Sequence, residues 1–282
     1  MIDRARRALD RFFAPQWAGG WVLARWLWVL AATVQCGFDV LSIPDVWGAR
    51  DMLFASGPFR LTEYFTMTPT MAYAIWALMM TGIALVARGG RAMRPGLLLW
   101  TLCTWTFLGY EALNVKAHDR LLAWLSIALF VSPAHERGLT TAYRDPFARY
   151  LVYVIMAAIY GGTGWNKALH EPSWFGDGSV LALHFLHVHH GSKPLSVWLS
   201  GQTWLHPFMT WFTVIWEAGF PLFVLIPRLN PWVLAMGIVF HVALLFTMNV
   251  GPFAFVSLIA YPVLLHPEFA RRCHLRWTAL GR

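Results

Sequence analysis

The feature that most constrains this chain is a succession of long apolar runs with almost no charge inside them. A helix that crosses a bilayer needs about 20 consecutive, mostly apolar residues, because its backbone polar groups must be satisfied within the segment. Runs of this kind lie near residues 19–41, 69–88, 95–115, 118–133, 149–166, 205–226, 230–248 and 252–266. The fourth is short, and the last two form one uncharged stretch interrupted by the turn signal Asn249-Val250-Gly251-Pro252. Charged residues make up 13% of the chain, about half of the roughly 25% found in a soluble domain. The pattern predicts an all-α, polytopic transmembrane helix bundle of about eight spans, forming a single integral membrane domain over 1–282. The basic opening "MIDRARRALDR" leads into an apolar run with no small-residue cleavage site. It reads as a retained anchor, not a removed signal peptide.

The positive charges give an orientation. With the N-terminus in the cytoplasm, fifteen of the twenty-two Lys and Arg residues fall in cytoplasmic segments and six on the opposite side, with Arg25 inside the first span. Lys and Arg favour cytoplasmic loops, so both termini are expected in the cytoplasm of a multi-pass cell-membrane protein. The net charge of +8 comes from these short clusters between spans and does not argue for a nucleic-acid partner. The partner that the composition demands is the lipid bilayer. Arginine-rich, lysine-poor usage suggests a bacterial chain and hence the inner membrane. Cys36, Cys103 and Cys273 are widely separated and form no CxxC, which supports neither a disulfide framework nor a thiol redox motif. Residues 42–68 are expected to include an interfacial helix, and 178–190 an interfacial or re-entrant helical segment. No inverted repeat and no matched pair of broken helices is visible, so a transporter is disfavoured.

Ionisable side chains inside apolar spans mark function or a buried partner. Here they are Asp39, Glu111, Glu217 and His241, with Lys116, His118, Asp119 and Lys167 at outer helix ends. Glu217 lies on the order of 18 Å into its span at 1.5 Å per residue. His241 is similarly central to the next, antiparallel span, so the two are placed to meet. A structural reading stands beside the functional one: a hydrogen-bonded Glu217 that joins helices, and a satisfied core histidine at 241. Asp39, Glu111 and Asp119 lie near helix ends, where a carboxylate costs little, and are read as structural.

Lys167 sits in "GGTGWNKALHEPSWFGDGS", beside Trp165, Asn166 and Trp174. Lysine is scarce here: Lys116, Lys167 and Lys193 are the three in the chain. A lysine can give up its proton and act as a general base, whereas an arginine stays protonated. The alternative is a cation at a helix end that reaches for the interface. The run "HFLHVHH" at 184–190 offers imidazoles that suit a metal. His184 and His187 would share a helix face, with His190 a turn later, but one dense run does not close a site. No metal is expected, and a polar, pH-sensitive interfacial helix is the simpler reading.

Taken together, these segments form a pattern. "YGGTGWNKALHEPSWFGDGS" resembles the Tyr-x-x-x-Gly-x-x-Lys-hydrophobic…Trp…Gly segment of the HTTM (horizontally transferred transmembrane) domain, a family that includes the membrane part of vitamin K-dependent gamma-carboxylase. "KAHDRLLAWLSIALFVSP" is similar to its histidine-containing helix start, "WEAGFPLFVLIPRL" to its Glu-x-x-hydrophobic-Pro-Leu segment, and "HVALLFTMNVGPFAFVSLIAYPVLL" to its final helix pair. The four occur in order, so the resemblance covers roughly residues 15–268. It implies that Lys167 acts as base toward a reduced quinone of the vitamin K hydroquinone type, which reacts with oxygen. It also implies that His118 and His241 line the same outward-facing cavity. The residue before the family's histidine is often a polar amide, and here it is Ala117. The carboxylase carries a large further domain for its protein substrate, and this chain stops soon after its last span. The resemblance therefore implies a partner protein for any peptide recognition.

Two functions follow as expectations. In the first, the protein is a quinol-linked, carboxylase-like lyase or oxidoreductase acting on a quinol or lipid-like substrate. Its catalytic residues are Lys167, His118 and His241, supported by Glu217, Trp165, Asn166 and Trp174. In the second, it is a non-enzymatic membrane accessory for maturation, export or immunity of a peptide or lipid, with the polar residues joining helices.

Overall fold

The computed structural model of the chain describes residues 6, 9–10, 12–14, 16–17, 19–48, 67–110, 117–135, 143–144, 146–188, 191, 193–250, 252–267, 269–270 and 272. The described residues are all-α apart from two-residue extended segments at Gln16–Trp17 and Tyr143–Arg144. The helices are α1 (Gly19–Gly48), α2 (Pro69–Arg88), α3 (Met93–Tyr110), α4 (Ala117–Phe130), α5 (Phe147–Met156), α6 (Gly162–His170), α7 (Ser179–Leu186), α8 (Pro194–Ser200), α9 (His206–Phe223), α10 (Asn230–Thr247), α11 (Phe253–Leu258) and α12 (Tyr261–Leu264). A π-helical turn, Ala157–Gly161, joins α5 to α6.

The helices follow the apolar runs, with informative departures. The first run continues as helix past residue 41 to Gly48, carrying Pro44 within it. The run at 252–266 is not one span but two short helices. Pro262 has no N–H to donate to the carbonyl of Leu258, four residues earlier, and α11 stops at Leu258. The chain there turns through tighter bonds, with Ile259 N donating to Val256 O and Val263 N to Ala260 O. Among the described residues, three helices are long and apolar enough to cross a membrane: Gly19–Leu41, Pro69–Arg88 and Asn230–Thr247. Helix length alone therefore does not carry a count of eight spans. The interfacial helix expected within 42–68 lies mostly outside the described residues, as do Glu111 and Lys116.

The chain forms two compact units. One comprises Ala18–Arg144 with Phe255–Val263. In it α2 and α3 touch at paired glycines: a Cβ on Gly82 would lie 2.8 Å from Gly96 O, and one on Gly96 2.7 Å from Gly82 O. Small residues at such crossings let helix backbones approach in lipid, where dispersion must do what hydrophobic burial does in water. Within this unit several polar side chains bond from one segment to another. Arg25 Nη1 donates to Ala134 O at 2.9 Å, Trp28 Nε1 to Ser126 Oγ at 2.8 Å, and Trp76 Nε1 to Cys36 O at 2.8 Å. Gln35 Nε2 donates to Asp39 at 2.8 Å. Leu23, Trp26 and Leu30 of the same α1 face outward. An inward arginine and outward leucines suit a helix surrounded by lipid.

The other unit comprises Asp145–Ala254 with Met1–Trp17 and Leu264–Arg282. Two buried side chains pin its segments together. Arg149 donates to the carbonyls of Phe12, Leu264 and Leu265 and lies over the Phe12 ring. Asn230 donates to Val224 O and Leu264 O and accepts from His266 N. Both supply donors to carbonyls that have no helix partner, as a buried backbone requires. The α5–π–α6 line then runs beside α9, and this pairing carries the candidate site.

Candidate functional site

The local sequence explains the close approach. Along "YGGTGWNK", Tyr160, Gly161, Gly164 and Lys167 repeat at three- and four-residue spacing, so they share one helix face. That face meets α9. A Cβ on Gly164 would lie 2.2 Å from Ala218 N and 2.7 Å from the carbonyl carbon of Glu217. A Cβ on Gly161 would lie 2.9 Å from Pro221 Cγ. No side chain larger than hydrogen fits at Gly164, so the α6 and α9 backbones touch there.

That contact brings Lys167 to Glu217. Nζ donates to Oε2 at 2.7 Å, with the two side chains 19% and 9% exposed. The ammonium also lies 4.4 Å from the centroid of the Trp174 ring, where a cation is attracted to the π face. Trp174 is held by Glu171: Nε1 donates to Oε2 at 2.7 Å, and Asn166 Nδ2 donates to the other carboxylate oxygen at 2.9 Å. Trp174 also neighbours the His184 ring, with centroids 5.9 Å apart.

Two turns earlier on the same face, the Tyr160 hydroxyl is hydrogen-bonded to His241 Nε2 at 2.6 Å. The pair is enclosed by aromatic rings. Tyr160 packs on Trp216 and Phe220 at 4.8 and 4.6 Å, and His241 on Phe240 and Phe253 at 5.4 and 5.5 Å. Trp216 and Glu217 are adjacent on α9, so consecutive residues serve the Tyr160 pair and the Lys167 pair.

The partners differ from the expected ones. Glu217 takes Lys167 and His241 takes Tyr160, where the depth argument placed Glu217 opposite His241. Depth sets which residues are level, but the rotation of each helix about its axis sets which of them face each other. Asn166 and Trp174 belong to the Lys167 site, whereas Trp165 points outward and is 55% exposed. His118 belongs to the other unit, at the start of α4. It is buried there with Nε2 3.3 Å from Asp119 Oδ1. The histidine run does not form one helical face, because α7 ends at Leu186 and His187 is extended. His190 lies outside the described residues. Among the described residues, no group of three or more His, Cys, Asp or Glu side chains is gathered as a metal site requires. Sequence reasoning missed Tyr160 and Glu171. Each carried a signal: Tyr160 stands seven residues before Lys167 and Glu171 four after it, which is helix-face spacing.

No curated protein and no solved structure matches the chain. The profile of the HTTM domain matches residues 29–269, which is most of the 282 residues and spans the Lys167–Glu217 and Tyr160–His241 pairs alike. This chain is a membrane protein and belongs to the HTTM domain family.

Proposed function

We propose that the protein is a membrane enzyme in which Lys167 is the base toward the hydroxyl of a quinol or lipid-like substrate. The observation that supports this is the Lys167–Glu217 pair against Trp174, on a helix face that also carries Tyr160, the hydrogen-bond partner of His241. A reduced quinone fits the chemistry of these groups. It is a flat aromatic diol, and the site offers a proton acceptor beside the flat face of an indole. A bound quinol would supply an acidic hydroxyl and the electrons that react with oxygen. Lys167 is ready for this role only after its own proton has moved to Glu217, 2.7 Å away. The amine then takes the proton of the substrate hydroxyl. Glu171 fixes Trp174, and Tyr160 fixes the His241 ring, so both are positioning residues. His118, which the family resemblance joins to this centre, is assigned by its own variant.

In this reading the eight apolar segments all lie in the membrane, the shorter ones tilted little or packed within the helices. Both termini face the cytoplasm of a bacterial inner membrane, and a partner protein supplies any peptide recognition. The test is turnover of a reduced naphthoquinone with oxygen by the detergent-purified protein, followed by mass spectrometry for the epoxide. Epoxide from the wild type and from Trp165→Ala, but none from Lys167→Met or His118→Ala, supports the assignment. Epoxide from a folded Lys167→Met variant removes it.

A second reading is favoured by the same ion pair. Lys167 already has a carboxylate partner, and such a pair joins α6 to α9 without any chemistry. The protein would then be a non-enzymatic accessory for a peptide or lipid. No epoxide from any variant, with a phenotype that survives Lys167→Met/Glu217→Gln, supports this alternative.

A further inference from the structure

A second polar feature lies far along the chain from Lys167, at the turn between α2 and α3. α2 runs Pro69–Arg88 and is long and apolar enough to cross a membrane. At about 1.5 Å per residue its twenty residues span about 30 Å, the thickness of the hydrocarbon core. Arg88, its last residue, therefore stands where lipid headgroups begin. The turn that follows is built on Gly89 and Gly90, with φ of 68° and 61°. A concavity of about 620 Å3 opens on it, lined by Arg88, Gly90, Arg91 and Ala92. Arg94 is exposed one step further along.

The charged residues that line this concavity, Arg88 and Arg91, are both positive. Residues 64–110 contain no Asp or Glu. Beneath the turn lies another guanidinium, that of buried Arg25: a Cβ on Gly89 would meet its Nη1 at 2.6 Å. Gly89 is thus glycine for two reasons, its positive φ and the arginine packed against it. Gly90 leaves part of the lining without a side chain, so an oxyanion can approach the backbone there. Arginines with forked donors match a phosphate geometrically as well as electrostatically.

We infer that this turn binds the phosphodiester of an anionic membrane phospholipid, held between Arg88 and Arg91. The shared chemistry with free phosphate is the oxyanion. The position at the end of a membrane-length helix favours the lipid, which is concentrated there already.

The experiment measures lipid retained by the full-length, detergent-purified protein after addition of equal phosphatidylglycerol and phosphatidylcholine, read by native mass spectrometry. The wild type is expected to retain phosphatidylglycerol about thirtyfold over phosphatidylcholine, from two arginine contacts. Arg88→Gln/Arg91→Gln is expected to fall to near parity. Arg228→Gln, which removes an exposed arginine at another interhelical turn, is expected to keep the preference. If the double variant does not purify as a single species, Arg91→Gln alone is expected to lose about fivefold. No preference in the wild type would overturn the site, as would an equal loss in Arg228→Gln. Full displacement of the lipid by millimolar inorganic phosphate would overturn its assignment to lipid.

Discussion

Lys167 reaches Glu217 across a helix contact that Gly164 makes possible. The ammonium and carboxylate are 2.7 Å apart, at the place where α6 and α9 come too close for any Cβ. Neither residue is paired by its own helix, so the ion pair exists only while the two backbones touch.

Gly164→Ala is expected to lower stability by about 2–3 kcal/mol, because the added methyl group meets backbone that cannot move aside. It should also separate Lys167 from Glu217. Gly162→Ala is the control, since nothing lies within 4 Å of its Cβ position. There the loss of unfolded-state freedom should stabilise by about 0.5–1 kcal/mol. Thermal melting in detergent reads both, and equal behaviour of the two variants would contradict the contact.

Lys167→Met leaves the Glu217 carboxylate without its cation between two helices. A loss of about 2 kcal/mol is expected, less than for a fully buried pair because the lysine keeps some exposure. Glu217→Gln alone should cost a similar amount. The double variant Lys167→Met/Glu217→Gln should recover much of that stability, since no charge is then stranded. Its activity separates the proposed functions: a stable but inactive double variant points to the base, a stable and active one to a structural pair.

Tyr160→Phe keeps the ring against Trp216 and Phe220 and removes only the hydroxyl bonded to His241. A loss of about 1–2 kcal/mol is expected in the melt. If Tyr160 orients His241 for the reaction, kcat falls while KM is unchanged. A fall in stability with kcat intact would limit the pair to packing.

Acid should loosen the start of α7. Asp177 Oδ1 accepts from Ser179 N at 2.9 Å, and this N–H holds the Asp177 carboxyl below its usual value. A carboxylate lowered in the folded state contributes stability above the ordinary range, near pH 4, and loses it as pH falls through the lowered value. Protease cleavage within 175–180 should therefore rise on acidification below about pH 4, using an acid-active protease. In Asp177→Asn that rise should be absent.

Much of the helix plan was legible in the linear chain. Apolar runs bounded by Gly, Pro and Arg predicted where helices lie, since a lipid-exposed backbone has few alternatives. The run at 252–266 misled because apolar composition outweighed Pro262, whose missing N–H ends α11. The histidine run misled for a related reason: a helical face was read through His187, where the helix has already ended. Lys167 stood out because lysine is rare here and sits beside a glycine-rich face.

Composition and run length, available from residue order alone, established a helical membrane protein, four motif segments carried the resemblance to the HTTM domain family that its profile bears out, and the scarcity of lysine singled out Lys167. The tertiary structure alone decided the partners: Glu217 with Lys167, and His241 with Tyr160. Hydrophobic periodicity is a property of one helix at a time. Pairing depends on how far each helix is rotated and how closely two backbones approach, and here the π-helical turn and Gly164 set both.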